Sequence, residues 1–504
     1  MKRKSDSSLQ PGIRRASSGM LFDHRSSDDL PLPDGPKTLP DVYDFSRFIK
    51  QLMNADRYPA MLAGLLKNVG QLGVSLFELY AGKGTGTSVA VQLNAAMQKS
   101  GLLTQDMNTI RPIAAADKEP VCRHVLKNMT YKGDQVIKHV FGDFEDFVRV
   151  EHQWHAKRLA PKDQMSCSER LAAYQELGRY LNEAAEAGDL LVEDPHEGAL
   201  CEQTGYSKSA DVLSLGRSRG RIVLWVLGSN CQDFAKYGKK MGVAGPHMRS
   251  FKMFIGLTRS IRPDFIIFEN DEEFPESILE DELGDMYGVV MVKMKPSISG
   301  MPAKRGRKYC WLWYKPKCRF NGTAAEFDRV FKVEVMLEGD AFLVDDGRRA
   351  DMMMQMAKVQ GNNFEECTHV KLEHCLTPGQ LQTLSEHRNQ ELSKSGLGGT
   401  YITDLGQNFG WCYSGPWFPF LVTHGLLVSL SAKKLVTPME YLFLMGEPVF
   451  PNVLGDKAEP CLFQDLLDTD ALGSGALKLL SGQAMHMLNL APFMLYGLAN
   501  LEPV

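Results

Sequence analysis

The sequence predicts an α/β protein: an open, Rossmann-like sheet joined to a second, smaller mixed domain. Three observations predict it. Short apolar runs alternate with amphipathic segments from about residue 72 to 314, the rhythm of strands and helices in such a sheet. The first apolar run ends in a glycine-rich turn that opens a helix. From about 331 to 430 the rhythm is lost, and short strands, one helix and glycine-rich loops suggest a separate unit.

The elements follow in order. Residues 1–40 are rich in Ser, Asp, Pro and Gly and poor in large apolar side chains, so an unstructured tail is expected. Its Lys2-Arg3-Lys4 is either a solvated charge cluster or part of a nuclear import signal; a nuclear location is the expectation. Helical periodicity runs from Asp41 to Leu72. The segments GVSLFEL, IRPIAAAD and IKHVF read as the first three strands, with helices VAVQLNAAMQKS and EPVCRHVLKNM between them. Residues 150–218 have a different, polar texture around one amphipathic helix and read as an insertion. RIVLWVLGSN, PDFIIFEN, YGVVMVKM and RKYCWLWYKPK resume the strands, with the helix SFKMFIGLTRSI between the first two. The C-terminus returns to helices, TPMEYLFLMG and SGQAMHMLNLAPFMLYGL. The expected organisation is a tail to 40, a main domain over 41–330, a small domain over 331–430, and a segment over 431–504 that completes the main domain.

Composition narrows the classes. With 504 residues, 44% hydrophobic and 23% charged, the chain can bury a sizeable core without staples. Its 10 cysteines form no C-x-x-C pair, which favours reduced thiols over a zinc site. Cys367, His369, His374 and Cys375 cluster, but their spacing matches no standard zinc motif, and no metal is expected. No apolar run is long enough for a membrane span. A net charge of −4 neither supports nor excludes nucleic acid, since a basic cleft can sit on a neutral protein.

Gly82, Gly84 and Gly86 follow the first strand and let a ligand approach the helix N-terminus. Such a turn serves NAD, S-adenosylmethionine or only a tight bend; it is not a phosphate-gripping Walker loop, because Gly84 follows Lys83. Asp117 ends the second strand, where a carboxylate takes ribose hydroxyls, and Asp143 ends the third, where it accepts from an adenine amino group. Either acid alone is equally well a cap or turn residue. Together with the glycine turn they describe a nucleoside cofactor held without an obligatory phosphate grip.

The fourth strand ends in Gly228-Ser229-Asn230-Cys231-Gln232, and the next in Glu269-Asn270. This resembles the cytosine-5 methyltransferase family, whose corresponding motifs are G-P-P-C-Q and E-N-V. Other pieces fall in the family's order from about 72 to 490: ELYAGKGTG, ADKEP, GDF, then Gly300-Met301-Pro302-Ala303-Lys304-Arg305-Gly306-Arg307, KLVTPMEYLFLMGEP (the family has G-F-P at its end) and Gly482-Gln483-Ala484. Departures are Ser229-Asn230 for Pro-Pro, Asp271 for Val, Ala303 for Gln and Gln483 for Asn. Losing the prolines loosens the loop that carries Cys231.

The resemblance implies a Rossmann-like S-adenosylmethionine-dependent methyltransferase acting on carbon 5 of cytosine. Cys231 is the implied nucleophile at carbon 6, and Glu269 the general acid at ring nitrogen 3. Arg307 would hold Glu269 and the base carbonyl, with Arg305 supporting the loop. S-adenosylmethionine would be held by Tyr80, Ala81, Gly82, Gly84, Asp117, Lys118, Asp143, Phe144, Asn230 and Gln483. The alternative for Cys231 is a buried structural thiol. The target base must be flipped out or single-stranded, and the size of the 331–430 region, the implied target-recognition part, leans to DNA over tRNA. The run from Lys304 to Arg319 carries seven basic residues and four aromatics; it suits phosphate contact with stacking, or a strand with a solvated basic face. Other readings are an inactive methyltransferase-like protein that binds nucleic acid, and a nicotinamide-dependent oxidoreductase, which leaves the order of Cys231, Glu269 and Arg307 unexplained.

Overall fold

The computed structural model describes residues 31–194, 198–229, 232–234, 241–344, 347–394, 400–407, 409, 414–419 and 425–504. Cys231, Asn230 and the Lys2-Arg3-Lys4 cluster lie outside these residues.

Seven strands form the central sheet: β1 Val74–Leu79, β2 Ile110–Ala116, β3 His139–Phe141, β4 Ile222–Gly228, β5 Phe265–Asp271, β6 Tyr287–Met294 and β7 Arg307–Tyr314. Their order is β6-β7-β5-β4-β1-β2-β3. Strands β3, β2, β1, β4 and β5 are parallel, and β7 runs antiparallel between β5 and β6. The fold is thus the α/β, Rossmann-like sheet that the sequence predicts. Strand order reverses between β1 and β4, so the crevice at their carboxyl ends is where such sheets bind ligands.

The sheet is sandwiched, which explains its unbroken apolar runs: every residue of β1 and of β5 is buried, including the polar ones at their ends. One face packs against α1 Ser46–Met53, α2 Tyr58–Leu65, α3 Thr85–Lys99 and the C-terminal helix Met487–Asn500. The other face packs against Cys167–Glu186, from the 150–218 segment, and Met248–Ile261, which lie on one another. The insertion therefore adds a helix to a core layer rather than a surface appendage. Residues 348–435 gather a separate apolar cluster, including Leu384, Tyr401, Val428 and Leu435. It carries the helix Pro378–Lys394 and a small antiparallel sheet of Ile402–Asp404, Leu427–Ser429 and Lys434–Leu435.

Three expectations need correction. The tail does not run unstructured to 40: the Glu334 N–H donates to the Pro33 carbonyl at 2.9 Å, and a helix begins at Leu39. Pro36 is packed so closely on Gly300 that a Cβ there would stand 2.6 Å from its ring, so these prolines serve as docking groups. The C-terminal run SGQAMHMLNLAPFMLYGL is not one helix. It breaks after Gln483 and restarts at Met487, which frees the Gly482 and Ala484 carbonyls for a side chain, Arg305.

The basic, aromatic run from 304 to 319 is not a solvated or stacking surface where it forms β7. Tyr309 and Trp311 are fully buried; Trp311 stacks on Phe493 at 3.8 Å and its indole N–H donates to the Phe493 carbonyl. Arg305, Arg307 and Lys308 are buried too. Strand alternation turns Tyr309, Trp311 and Trp313 into the layer beneath the C-terminal helix, and hydrophobic burial outweighs what a base stacked on the surface would contribute. Replacing Trp311 by Ala is expected to cost about 3–5 kcal/mol in urea unfolding; a loss below about 1 kcal/mol would contradict this packing.

Candidate active site

The site is built at the carboxyl edge of β1, β2, β4 and β5. At the end of β1 the chain turns sharply: Tyr80, Gly82 and Gly84 have φ of 53°, 56° and 82°. At Gly84 a side chain is excluded twice, by φ and by Leu126 and Met129, which a Cβ would meet at 2.8 Å. The turn is held from three sides. Glu78, in the last turn of β1 and buried, accepts from the N–H groups of Gly86 (2.7 Å) and Thr87 (2.8 Å) and from the Thr87 hydroxyl (2.5 Å). It thereby caps helix α3. Asp117 accepts from the Gly82 N–H at 2.7 Å and the Glu119 N–H at 2.8 Å. Lys83, fully buried, pairs with fully buried Glu447.

The expected cofactor residues are brought together unevenly. Ala81 is buried and its N–H donates to the Ala116 carbonyl at 3.0 Å. Tyr80 and Phe144 meet with ring centroids 4.7 Å apart. Asp143 caps the short helix Phe144–Phe147 by accepting from the Glu145 N–H at 3.1 Å. The backbone of Gln483 reaches the turn: a Cβ on Gly82 would stand 3.7 Å from its carbonyl oxygen. Lys118 is exposed, and its carbonyl accepts from Arg123 at 2.6 Å. The cap and turn reading of the acids is realised, since each carboxylate accepts from turn N–H groups, and each oxygen bonded once keeps a further lone pair. Burial raises the Asp117 carboxyl above the ordinary range. A carboxylate and open glycine backbone beside two aromatic rings suit the ribose and base of a nucleoside.

The second half of the site is more tightly specified. Glu269 lies opposite Gly228 on β4 and Tyr309 on β7, and Asp271 opposite Arg307. Residues two apart share a strand face, so Glu269, Asp271 and Arg307 converge. Arg307 Nε is 3.1 Å from Glu269 Oε1, and its Nη1 is 3.5 Å from Asp271 Oδ2. Arg305 donates from Nη2 to the carbonyls of Gly482 (3.2 Å) and Ala484 (3.0 Å). All four side chains are buried. Burial raises the Glu269 carboxyl and the Asp271 charge adds to it, against the pull of Arg307 and Arg305. A Cβ at 228 would lie 2.9 Å from Glu269 Oε2, so a side chain there would push the carboxyl from its place. The carboxyl therefore sits against the strand end three residues before Cys231.

Cys231 and Asn230 themselves fall outside the described residues, but both flanks are anchored. Asn270, on the opposite face of β5, donates from Nδ2 to the Ser229 hydroxyl at 2.7 Å. On the far side, buried Asp233 accepts from the His247 N–H at 2.8 Å, and Phe234 meets Phe274 edge-on at 4.9 Å. In the small domain the Cys375 thiol donates to the Met353 carbonyl at 3.3 Å and His374 Nδ1 accepts from the Lys371 N–H.

Sequence reasoning missed Glu78, Lys83, Glu447, Asn270 and Asp271 as parts of the site. Glu78 had a signal: an acid ending a buried strand directly before a glycine turn. Lys83 and Glu447 had none, being 364 residues apart.

No family model matches the chain, and no curated protein matches it. Solved structures similar to it include methyltransferases. The Dnmt2 methyltransferase of S. pombe shares 12% identity at a TM-score of 0.37, over 84% of this chain and 96% of that one. The methyltransferase EhMeth of Entamoeba histolytica shares 13% at 0.38, over 84% and 97%. A putative DNA modification methyltransferase encoded within an E. coli prophage shares 12% at 0.38, over 85% and 99%. Among the described residues no helix is long and apolar enough to cross a membrane.

Glu78 yields a pH test. Burial lifts its carboxyl from 4.5 to about 7, against the donors from Thr87 and Gly86. A folded-state value above the unfolded one means stability that is complete below 4.5 and lost as pH rises through about 7. The stability difference between wild type and Glu78→Gln is expected to shift against wild type by up to about 3 kcal/mol across that window in denaturant titrations. A difference that does not change with pH would refute it.

Proposed function

We propose that this protein is a divergent cytosine-5 methyltransferase that uses S-adenosylmethionine and acts on DNA. The observation that supports this most is the buried Glu269–Arg307 pair against Gly228, at the strand end that leads to Cys231. A buried carboxyl that can give a proton, a guanidinium that orients it and a cysteine supplied by the chain after the neighbouring strand are what addition to a pyrimidine ring requires.

Cysteine, as thiolate, adds to carbon 6 of the flipped cytosine while Glu269 gives a proton to nitrogen 3. The C6–S bond forms and carbon 5 becomes the nucleophilic end of an enamine. S-adenosylmethionine, when bound, supplies the electrophilic methyl group that carbon 5 takes up. A base then removes the carbon 5 proton, the C6–S bond breaks, and the Cys231 thiolate leaves as nitrogen 3 returns its proton. Arg307 keeps Glu269 oriented, with Asp271 balancing its charge, and Arg305 ties the preceding loop to the 482–484 turn. Tyr80, Ala81, Gly82, Gly84, Asp117, Asp143, Phe144 and Gln483 would hold the cofactor, with Lys118 at the rim, and Asn230 is assigned to the same role by the motif alone. The raised Glu269 carboxyl suits a group that must give a proton.

Residues 331–430 are the proposed target-recognition region, with 431–504 completing the catalytic domain. One contact supports a link between them and the site: the extended segment at Phe418 pairs with Pro302 and Lys304, directly before Arg305. DNA is preferred to tRNA on the size of this region, and a nuclear location goes with DNA.

The test is trapping on DNA and on tRNA that contain 5-fluorocytosine, in the presence of S-adenosylmethionine. A covalent complex is expected on DNA, absent with Cys231→Ser and slowed about 10²–10⁴-fold with Glu269→Gln. A complex on tRNA alone would reassign the polymer; one that survives Cys231→Ser would remove Cys231 from its role. No complex on either polymer would favour an inactive, binding-only protein.

A further inference from the structure

The cofactor turn carries a buried charge that the proposed chemistry does not use. Lys83 stands between Gly82 and Gly84, at the apex of a turn with three left-handed residues, and it is fully buried. Its ammonium is bonded to the carboxylate of Glu447, equally buried. Glu447 belongs to a rigid piece of chain: its N–H donates to the Leu442 carbonyl at 3.1 Å, and the whole of 436–450 is buried. The helix within that piece, Pro438–Leu444, starts directly after the Lys434–Leu435 strand of the small sheet.

A buried ion pair is a poor way to gain stability, because two apolar side chains of similar volume usually do as well or better. What it provides is direction: one ammonium must meet one carboxylate in one geometry. Left-handed φ at Tyr80, a non-glycine residue, needs such outside restraint to persist. The other two restraints, from Glu78 and Asp117, come from the same sheet. Lys83–Glu447 alone among the three fastens the turn to the C-terminal segment.

We propose that Lys83 is a positioning residue for the S-adenosylmethionine turn and acts through Glu447, so that the turn takes its ligand-ready shape only when clamped to the 436–450 segment. This rests on the cofactor assigned above. The family pattern that the chain resembles has Phe where Glu447 stands, so this carboxylate is a feature of this chain.

The experiment compares wild type, Lys83→Met/Glu447→Met and Glu447→Gln in two readouts: amide hydrogen exchange of residues 80–87 without ligand, and S-adenosylmethionine binding by calorimetry. The double variant is expected to keep its melting temperature, exchange the turn roughly tenfold faster or more, and bind roughly tenfold or more weaker. Glu447→Gln, which keeps an acceptor for the ammonium, should fall between. If the double variant matches wild type in exchange, the clamp is refuted, whatever its binding. If wild type binds no S-adenosylmethionine while the double variant still loosens the turn, the cofactor assignment fails and the clamp stands. If the double variant does not fold, the single Glu447→Gln variant decides by the same exchange measurement: unchanged exchange refutes the clamp.

Discussion

The buried pairing of Glu269 with Arg307 is the constraint on which the rest of this site depends. Two charges removed from water remain only if each finds the other in good geometry. That geometry comes from three strands at once: β5 carries Glu269, β7 carries Arg307 opposite Asp271, and β4 ends in a glycine that leaves room for the carboxyl. The antiparallel insertion of β7 beside β5 is therefore not decoration on a Rossmann-like sheet. It brings an arginine to a place where a parallel strand of that chain segment would have carried it to the opposite edge.

The sheet was legible because strands covered on both faces are continuously apolar, and because glycines mark the first turn. The order of the strands was readable only as a rhythm, since pairing is a tertiary fact. Glu269, Arg305 and Arg307 were picked out through the resemblance of their motifs. Their partners were not: Asp271 is a departure from the family pattern, yet in space it is a second carboxylate for Arg307. The burial of Tyr309 and Trp311 was misread because the same alternation of basic and aromatic residues describes a surface or a buried strand, and only the helix packed over it decides. The break between Gln483 and Met487 was hidden for a similar reason, as the carbonyls it exposes are satisfied by an arginine some 180 residues earlier.

The missing prolines before Cys231 also look different in three dimensions. Proline would restrict φ through its ring. Here the Ser229 hydroxyl accepts a hydrogen bond from Asn270, and Asp233 and Phe234 fix the chain beyond. Restraint through covalent geometry is replaced by restraint through contacts. The glycine turn after β1 is likewise restrained by a contact, the buried pair of Lys83 with Glu447. His486, buried close to both Lys83 and Arg305, is held neutral, with its value pushed down to about 3 chiefly by burial. A neutral imidazole there adds no third positive charge beside Lys83 and Arg305.

The central claim is that Glu269 is a buried carboxyl whose hold on its proton is strengthened by burial and whose place is fixed by Arg307. Difference infrared spectroscopy of wild type against Glu269→Gln, followed through a pH titration, reads that proton directly. The account predicts a protonated carboxyl band that disappears only above the ordinary glutamate range, and that persists to still higher pH in Arg307→Met, where the opposing charge is gone. A band lost at or below the ordinary range, or unaltered by Arg307→Met, would contradict it.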